Sequence, residues 1–395
     1  MKRKIRLLAW TLVILVGTAF IIGAGIYFKT GGSPWQETPE MSAVVVDVAD
    51  MRKSKLSDSK TDFGDATHIN VLVLGLDGRK GVTEPHCDAI HMFSLDIENW
   101  TIEVTSVPRG TYAYIPPGNY ANNEYYLANA CSFAGLDYGI EQIEKIVGVK
   151  ADYRVTAGFS QVLGILRIFD LPTTDSLQWL RHRRGYAIGD PQRSHNQAVF
   201  MKDFIVNEGG RLRNEAAKSL FYVVYSIVDT DMDFGTARAL LDGYLSSDID
   251  KRPDDIVLKM KPYYETQDLH LNLENPDVQV QALVDFLKPR TSKEDLSDKS
   301  LSDFQNDLIT YIESQLKEKS VAGLYDQQLW LQVEDHDIRE EFQFRFLEKY
   351  SLELIDQDKR DEAIDLISGY ISEKETLAEE QSVKLGRGLM ANVVQ

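Results

Sequence analysis

Hydrophobic and polar positions divide the chain into stretches of different texture. Residues 7–28, LLAWTLVILVGTAFIIGAGIYF, form a run without a single charge. As a helix, 22 such residues extend about 33 Å, enough to cross the hydrocarbon core of a bilayer. Lys2, Arg3, Lys4 and Arg6 precede the run and only Lys29 follows closely. The positive-inside rule therefore predicts a cytoplasmic tail over 1–6, a transmembrane helix over 7–28 and everything later outside the cell. A cleaved signal peptide would have a shorter apolar core and a small-x-small cleavage site. Neither is present, which favours an uncleaved anchor. Residues 29–66 are polar apart from Ala43–Val48 and predict a juxtamembrane linker with one edge strand.

From residue 67 the pattern becomes that of an α/β domain, extending to about 275. INVLVLGLD is a continuous apolar run closed by turn residues, which predicts a buried strand entering a loop. Asp88–Asp96 and Thr101–Val107 flank a four-residue turn and predict a hairpin. Helical spacing occupies Asn123–Ala134, Tyr138–Val147 and Ser160–Phe169, with a short strand at Tyr153–Thr156. Helices are predicted again at His195–Asn207, Asn214–Val228 and Phe234–Leu245. This alternation predicts an α/β fold with a central mixed β-sheet flanked by helices. It is preceded by the transmembrane helix and followed by an α-helical C-terminal region. In that region, 290–395, Phe342, Phe346, Tyr350 and Leu354 line one helix and Ala363, Ile364, Ile367 and Ile371 a second. The pair reads as one tetratricopeptide-like hairpin, either a structural appendage or a module presented to a protein partner.

Charge narrows the function classes. The 395 residues carry 43 Lys+Arg against 61 Asp+Glu, a net charge of -18. A surface this acidic disfavours nucleic acid, whose phosphates need basic area. Residues 290–395 hold 13 basic and 24 acidic residues, so most of the net negative charge lies there. The mean hydropathy of -0.27 excludes a multi-span membrane protein. Two cysteines exclude a disulfide scaffold and a four-cysteine zinc site. Both would lie outside the cytoplasm, where a disulfide persists, but sequence cannot show proximity, and the expectation is two buried free thiols.

Against this acidic background, residues 177–213 concentrate Arg181, Arg183, Arg184, Arg193, Lys202, Arg211 and Arg213. Arg181 and Arg183 would point the same way on an extended segment, and their forks suit bidentate phosphate contacts. A solvated basic loop would have the same composition. Asp77 and Arg79 lie on the loop closing the first strand, where ligands gather in α/β sheets. His86-Cys87-Asp88 precedes the second strand, and Pro108-Arg109-Gly110-Thr111 ends the third. Tyr112, Tyr114, Tyr120, Tyr125 and Tyr126 would either face sugar rings or cover a sheet edge.

Four strings, NVLVLGLDGR, HCDAIHMFSLDIENWTIEVTSVPRGTY, NACSFAG followed by IEQIEKIVGV, and LRHRRGYAIGDPQRSHNQ, occur in an order and spacing that resemble the LytR-CpsA-Psr family of cell-wall attachment enzymes. The resemblance covers about half the chain. It implies a phosphotransferase that moves a glycopolymer from a polyprenyl-pyrophosphate lipid to peptidoglycan or another wall acceptor. It further implies Mg²⁺ on the pyrophosphate, held near Asp77 and Asp88. Arg109, Arg181, Arg183 and Arg193 would surround it, with Arg79, Asp190 and Gln197 as further substrate contacts. One or two carboxylates plus substrate phosphates are the usual Mg²⁺ environment. Phosphoryl transfer depends mainly on positioning and charge stabilisation. The chain departs from the family pattern at His86 (usually Arg), Gly110 (usually Asp) and Asn196 (usually Arg). It also has only a dozen residues between Phe169 and Arg181, where the family has a longer insertion. These departures sustain a second reading: a non-catalytic relative that binds a polyprenyl-phosphate or a glycan and presents its helical region to a partner. An extracytoplasmic α/β domain with an unrelated ligand is a third.

Overall fold

The computed structural model describes residues 63, 66–77, 85–182, 188–213, 215–287 and 301–394. The predicted transmembrane helix and nearly all of the predicted linker lie outside them. Among the described residues no helix is long and apolar enough to cross a membrane. The described chain falls into two compact units, one ending at Phe346 and the other starting at Leu347.

The first unit is built on β1 (His68–Asp77), β2 (His86–Asp96) and β3 (Thr101–Ser106), the predicted strand and hairpin. Helices α1 (Leu127–Phe133) and α2 (Leu136–Val147) follow, then β4 (Tyr153–Ala157), α3 (Phe159–Ile168), α4 (Thr174–Arg181), α5 (Asp190–Glu208) and α6 (Glu215–Ile227). Next come β5 (Asp229–Thr230), α7 (Phe234–Ser246) and β6 (Ile256–Met260). The six strands form one sheet in the order β5-β4-β1-β2-β3-β6. β1 is parallel to β4 and β3 to β6, while β1–β2, β2–β3 and β4–β5 are antiparallel. The sheet is mixed, as expected. β5 and β6, the two edges of the sheet, are additions the hydrophobic pattern did not announce, and β5 is only two residues long.

The apolar run of β1 is buried on both sides because helices cover both faces. Leu72 and Leu74 point into a core shared with Ile90 and Met92 of β2 and with Leu127 and Ile143 of α1 and α2. Ile69 and Val71 point the other way, against Leu240 of α7. Ile102 and Val104 of β3 meet Ala198 of α5 and Tyr244 of α7 on that second face. Side chains alternate across a strand, so continuous hydrophobicity is what a two-sided core demands.

Cys87 and Cys131 are joined by a disulfide, with Cα atoms 6.0 Å apart. The expectation of free thiols is corrected: the core packing of α1 on β2 brings together two residues that are 44 apart in sequence. Gly139 of α2 makes room for this bridge, since a Cβ there would overlap Cys131 Sγ.

The remaining helices are α8 (Pro276–Leu287), α9 (Leu301–Gln315), α10 (Ala322–Asp326), α11 (His336–Asp356), α12 (Arg360–Thr376) and α13 (Glu380–Val394). The two predicted C-terminal helices correspond to α11 and α12. In the second unit α12 buries Ala363, Ile367 and Ile371, while α13 buries Leu389, Met390 and Val393. A third helix thus completes a region read from sequence as a pair.

Candidate active site

The site is built where β1 ends and β2 begins, beside the start of α5. The β1–β2 register slips between Gly75 and Leu76: Gly75 pairs with Ala89 and Leu76 with Cys87, so Asp88 is the extra residue of a bulge. Gly75 permits the close approach, because a Cβ there would lie 2.8 Å from Ala89 Cβ. A bulge re-aims one side chain while preserving the strands on either side. It also keeps Cys87, Ile90 and Met92 on the core face, against simple alternation.

The re-aimed carboxylate of Asp88 ion-pairs with Arg109 at the end of β3, and both side chains keep a little under a fifth of their surface exposed. Arg193, from the first turn of α5 and 5% exposed, donates from Nη2 to the Asp88 carbonyl at 2.8 Å. The same Nη2 lies 2.7 Å from Asp190 Oδ1, one turn back. The other Asp190 oxygen accepts from the Gly110 N–H at 3.3 Å. This oxygen sits 3.9 Å from the point where a side chain at 110 would begin. Asp77 is 4% exposed at the end of β1, directly across from His86. Thr111 Oγ1, next to Gly110, is buried with no hydrogen-bond partner among the described residues.

Behind this cluster, His91 of β2 is buried between Ser106 and Gln197. Gln197 presents its Oε1 to His91 Nε2 at 3.3 Å. A carbonyl oxygen only accepts, so Nε2 carries the proton and Nδ1 accepts from the Ser106 hydroxyl at 2.9 Å. Burial, outweighing the Gln197 hydrogen bond and aided by the charge of Arg193, lowers the His91 pKa to about 4. Gln197 also donates to the Leu180 carbonyl at 3.0 Å, tying the end of α4 to α5.

The sequence-predicted residues therefore sort into groups. Asp88, Arg109, Asp190 and Arg193 converge, with Asp77 two positions from Asp88 across the strand pair. Gln197 lies one turn along α5 from Arg193, with its amide committed to His91 and Leu180. Arg181 is a correction. Of the segment Leu180–Arg184 considered as extended, Leu180 and Arg181 are instead the last turn of α4, and His182 after them is extended. Arg181 ends that helix, and its guanidinium lies 4.1 Å from the Phe159 ring centroid. Arg79 and Arg183 lie outside the described residues. His86 turns to α1, donating from Nδ1 to the Ala128 carbonyl at 3.2 Å. Asn196, 1% exposed, accepts from Gln192 within α5. Sequence reasoning missed His91 and Ser106: a lone histidine in an apolar strand gives no signal until its neighbours are known. Tyr112 and Tyr114 are 69% and 50% exposed, and Tyr125 stacks with both.

For a divalent cation, the donor chemistry fits an ion that relies on phosphate oxygens. Two carboxylates lie on adjacent strands. No group of three metal-ligating side chains forms there among the described residues. The orphaned Thr111 hydroxyl suits an oxyanion in the same place.

The site is thus an arginine–carboxylate cluster at the strand ends of a mixed α/β sheet. Residues 39–163 match the LytR_cpsA_psr family model, so this part of the chain is similar to that family. Among similar proteins is a polyisoprenyl-teichoic acid–peptidoglycan teichoic acid transferase, TagU, of Bacillus licheniformis. It is 21% identical over 62% of this chain and 84% of its own. The TagU of Bacillus cereus is 25% identical, and this chain spans 62% of its length. Among solved structures, B. subtilis TagV aligns with 57% of this chain at 16% identity and a TM-score of 0.42. TagT bound to LI-WTA aligns with 59% at 16% identity and a TM-score of 0.36.

Proposed function

We propose that this protein is a membrane-anchored, extracytoplasmic phosphotransferase. It moves a glycopolymer from a polyprenyl-pyrophosphate lipid to peptidoglycan or another wall acceptor. The observation that carries the reading is the convergence of Asp88, Arg109, Asp190 and Arg193, from three elements, at the strand ends beside Asp77. The teichoic acid transferase names of the similar proteins support the same chemistry.

The roles follow from the contacts. Arg109 binds phosphate oxygens by exchanging its Asp88 partner for the ligand, since charge-assisted hydrogen bonds serve either anion. Arg193 is held by the Asp88 carbonyl and by Asp190, so it meets the ligand already oriented. Asp190 also fixes the Gly110 amide, and the Thr111 hydroxyl offers a donor beside it. His91 is neutral and enclosed, and supports the cluster from behind without touching substrate. Mg²⁺ held by Asp77 and Asp88 would neutralise charge on the pyrophosphate.

The test is a titration of the full chain in detergent with polyprenyl pyrophosphate. Arg109→Ala and Arg193→Ala should each remove about 1.5–3 kcal/mol of affinity, roughly 10- to 100-fold. Asp77→Asn with Asp88→Asn should abolish the Mg²⁺ dependence of binding. Unchanged affinity in both arginine variants would end the phosphotransferase reading. Weakened binding with no polymer transfer by the wild type would identify a binding-only relative.

A further inference from the structure

A cavity of about 670 Å³ lies in the first unit, beyond the carboxyl ends of the parallel strands β1 and β4. Its floor is Leu76, the residue before Asp77, together with Thr156 and the start of α3. Its far wall comes from α9, α10 and the segment after α10, which lie outside the family-matched residues. The wall is locked in place by buried polar groups. Ser160, 4% exposed, accepts from Gln332 Nε2 at 3.0 Å. Gln161, 9% exposed, donates to the Asp326 carbonyl at 3.4 Å. Gln328 donates to the Ile227 carbonyl at 3.3 Å.

The lining has a definite chemistry. Asp229 and Asp326 both border the space, so an anion is repelled from it. Loss of solvent, followed by the nearby charge of Asp229, holds the Asp326 carboxyl above the usual carboxylate range. Phe159, Tyr311 and Tyr325 supply aromatic surface, and the glutamine amides both donate and accept. Carboxylates that accept from hydroxyls, planar amides and aromatic rings together match a neutral sugar. The volume falls within the range of about 300–1,000 Å³ typical of small-molecule sites. Ligands of α/β sheets gather at this end of the strands.

We infer that this cavity, bounded by Asp229, Asp326, Tyr325 and Phe159, binds a neutral saccharide and serves as the acceptor-sugar subsite. The role as acceptor subsite rests on the phosphotransferase reading. The saccharide site itself does not. Leu76, which lines the cavity, directly precedes Asp77, so a bound sugar would lie next to the end of β1.

Calorimetric titration of the full chain in detergent tests this, with N,N′-diacetylchitobiose as the neutral disaccharide, glucosamine as the ammonium probe and inorganic pyrophosphate as the anion. The disaccharide should bind saturably, and Asp229→Asn and Asp326→Asn should each weaken it about tenfold. Asp326 meets Gln161 through its backbone carbonyl, so Asp326→Asn tests the site even where Asp229→Asn perturbs the fold. Arg109→Ala should leave disaccharide affinity unchanged. The inference falls if the folded wild type binds no disaccharide, if glucosamine or pyrophosphate occupies the cavity in preference, or if both Asp variants bind like the wild type. It also falls if Arg109→Ala alone removes binding. Polyprenyl-pyrophosphate titration of the same variants separates the two claims. Unchanged lipid affinity in Arg109→Ala and Arg193→Ala overturns the transferase reading and leaves the saccharide result standing.

Discussion

Asp88 and His91 lie three residues apart on one strand and experience opposite environments. Asp88 is lifted out of the ladder by a bulge, keeps some access to solvent and meets Arg109. His91 stays in the ladder, 1% exposed, with both ring nitrogens engaged. Its pKa of about 4 is below the ordinary value of 6.5, so the unfolded chain takes up a proton first as pH falls. The stability linked to a neutral His91 is complete above about pH 6.5 and is lost progressively down to about pH 4. A depression of this size corresponds to about 3 kcal/mol. The melting temperature should fall across that window, and His91→Gln should flatten the dependence. A wild-type melting temperature constant between pH 6.5 and 4 would show that burial does not hold the ring neutral.

At the scale of elements, the hairpin and the helices around it are stapled by a bond that no periodicity reveals. The Cys87–Cys131 disulfide joins β2 to α1 and closes a loop of 44 residues. The chain-entropy relation assigns a loop of that length about 4 kcal/mol of stabilisation. Denaturant unfolding of the double Cys→Ala variant should show a loss of that order, and reduction of the wild type a similar one. Equal midpoints would mean that the core of Leu72, Ile90 and Ile143 holds the helices without it. α4 teaches a related lesson. Two arginines separated by one residue suggest a strand edge. The helix that buries Ser176 and Trp179 runs on to Arg181, so the first of the two arginines belongs to a helix end. Arg181 then ends on the ring of Phe159, a residue that lines the cavity.

At the scale of the whole molecule, the uncharged 22-residue run and the basic residues before it remain the argument for an anchor. The full chain should sediment with membranes, and deletion of residues 1–28 should release it. A reporter fused after Gln395 should be active only outside the cytoplasm. Recovery of the intact chain from the soluble fraction would overturn the topology.

Strand β1, the β2–β3 hairpin, β4 and the helices that sandwich them were legible because burying apolar faces imposes a period on the chain, and a period survives in one dimension. Asp77, Asp88 and Arg109 stood out in the sequence beside strand ends that the same pattern marks, whereas Asp190 and Arg193 came from the family resemblance, since the pattern began their helix only at His195. Tertiary structure alone decided the rest. The bulge at Asp88, the disulfide, the His91–Gln197 contact, the place of Arg181, strands β5 and β6, and the cavity wall from residues 311–332 all depend on which distant surfaces meet. Such meetings are set by packing of side chains far apart in sequence. Neither the spacing nor the charge of any one segment records its partner.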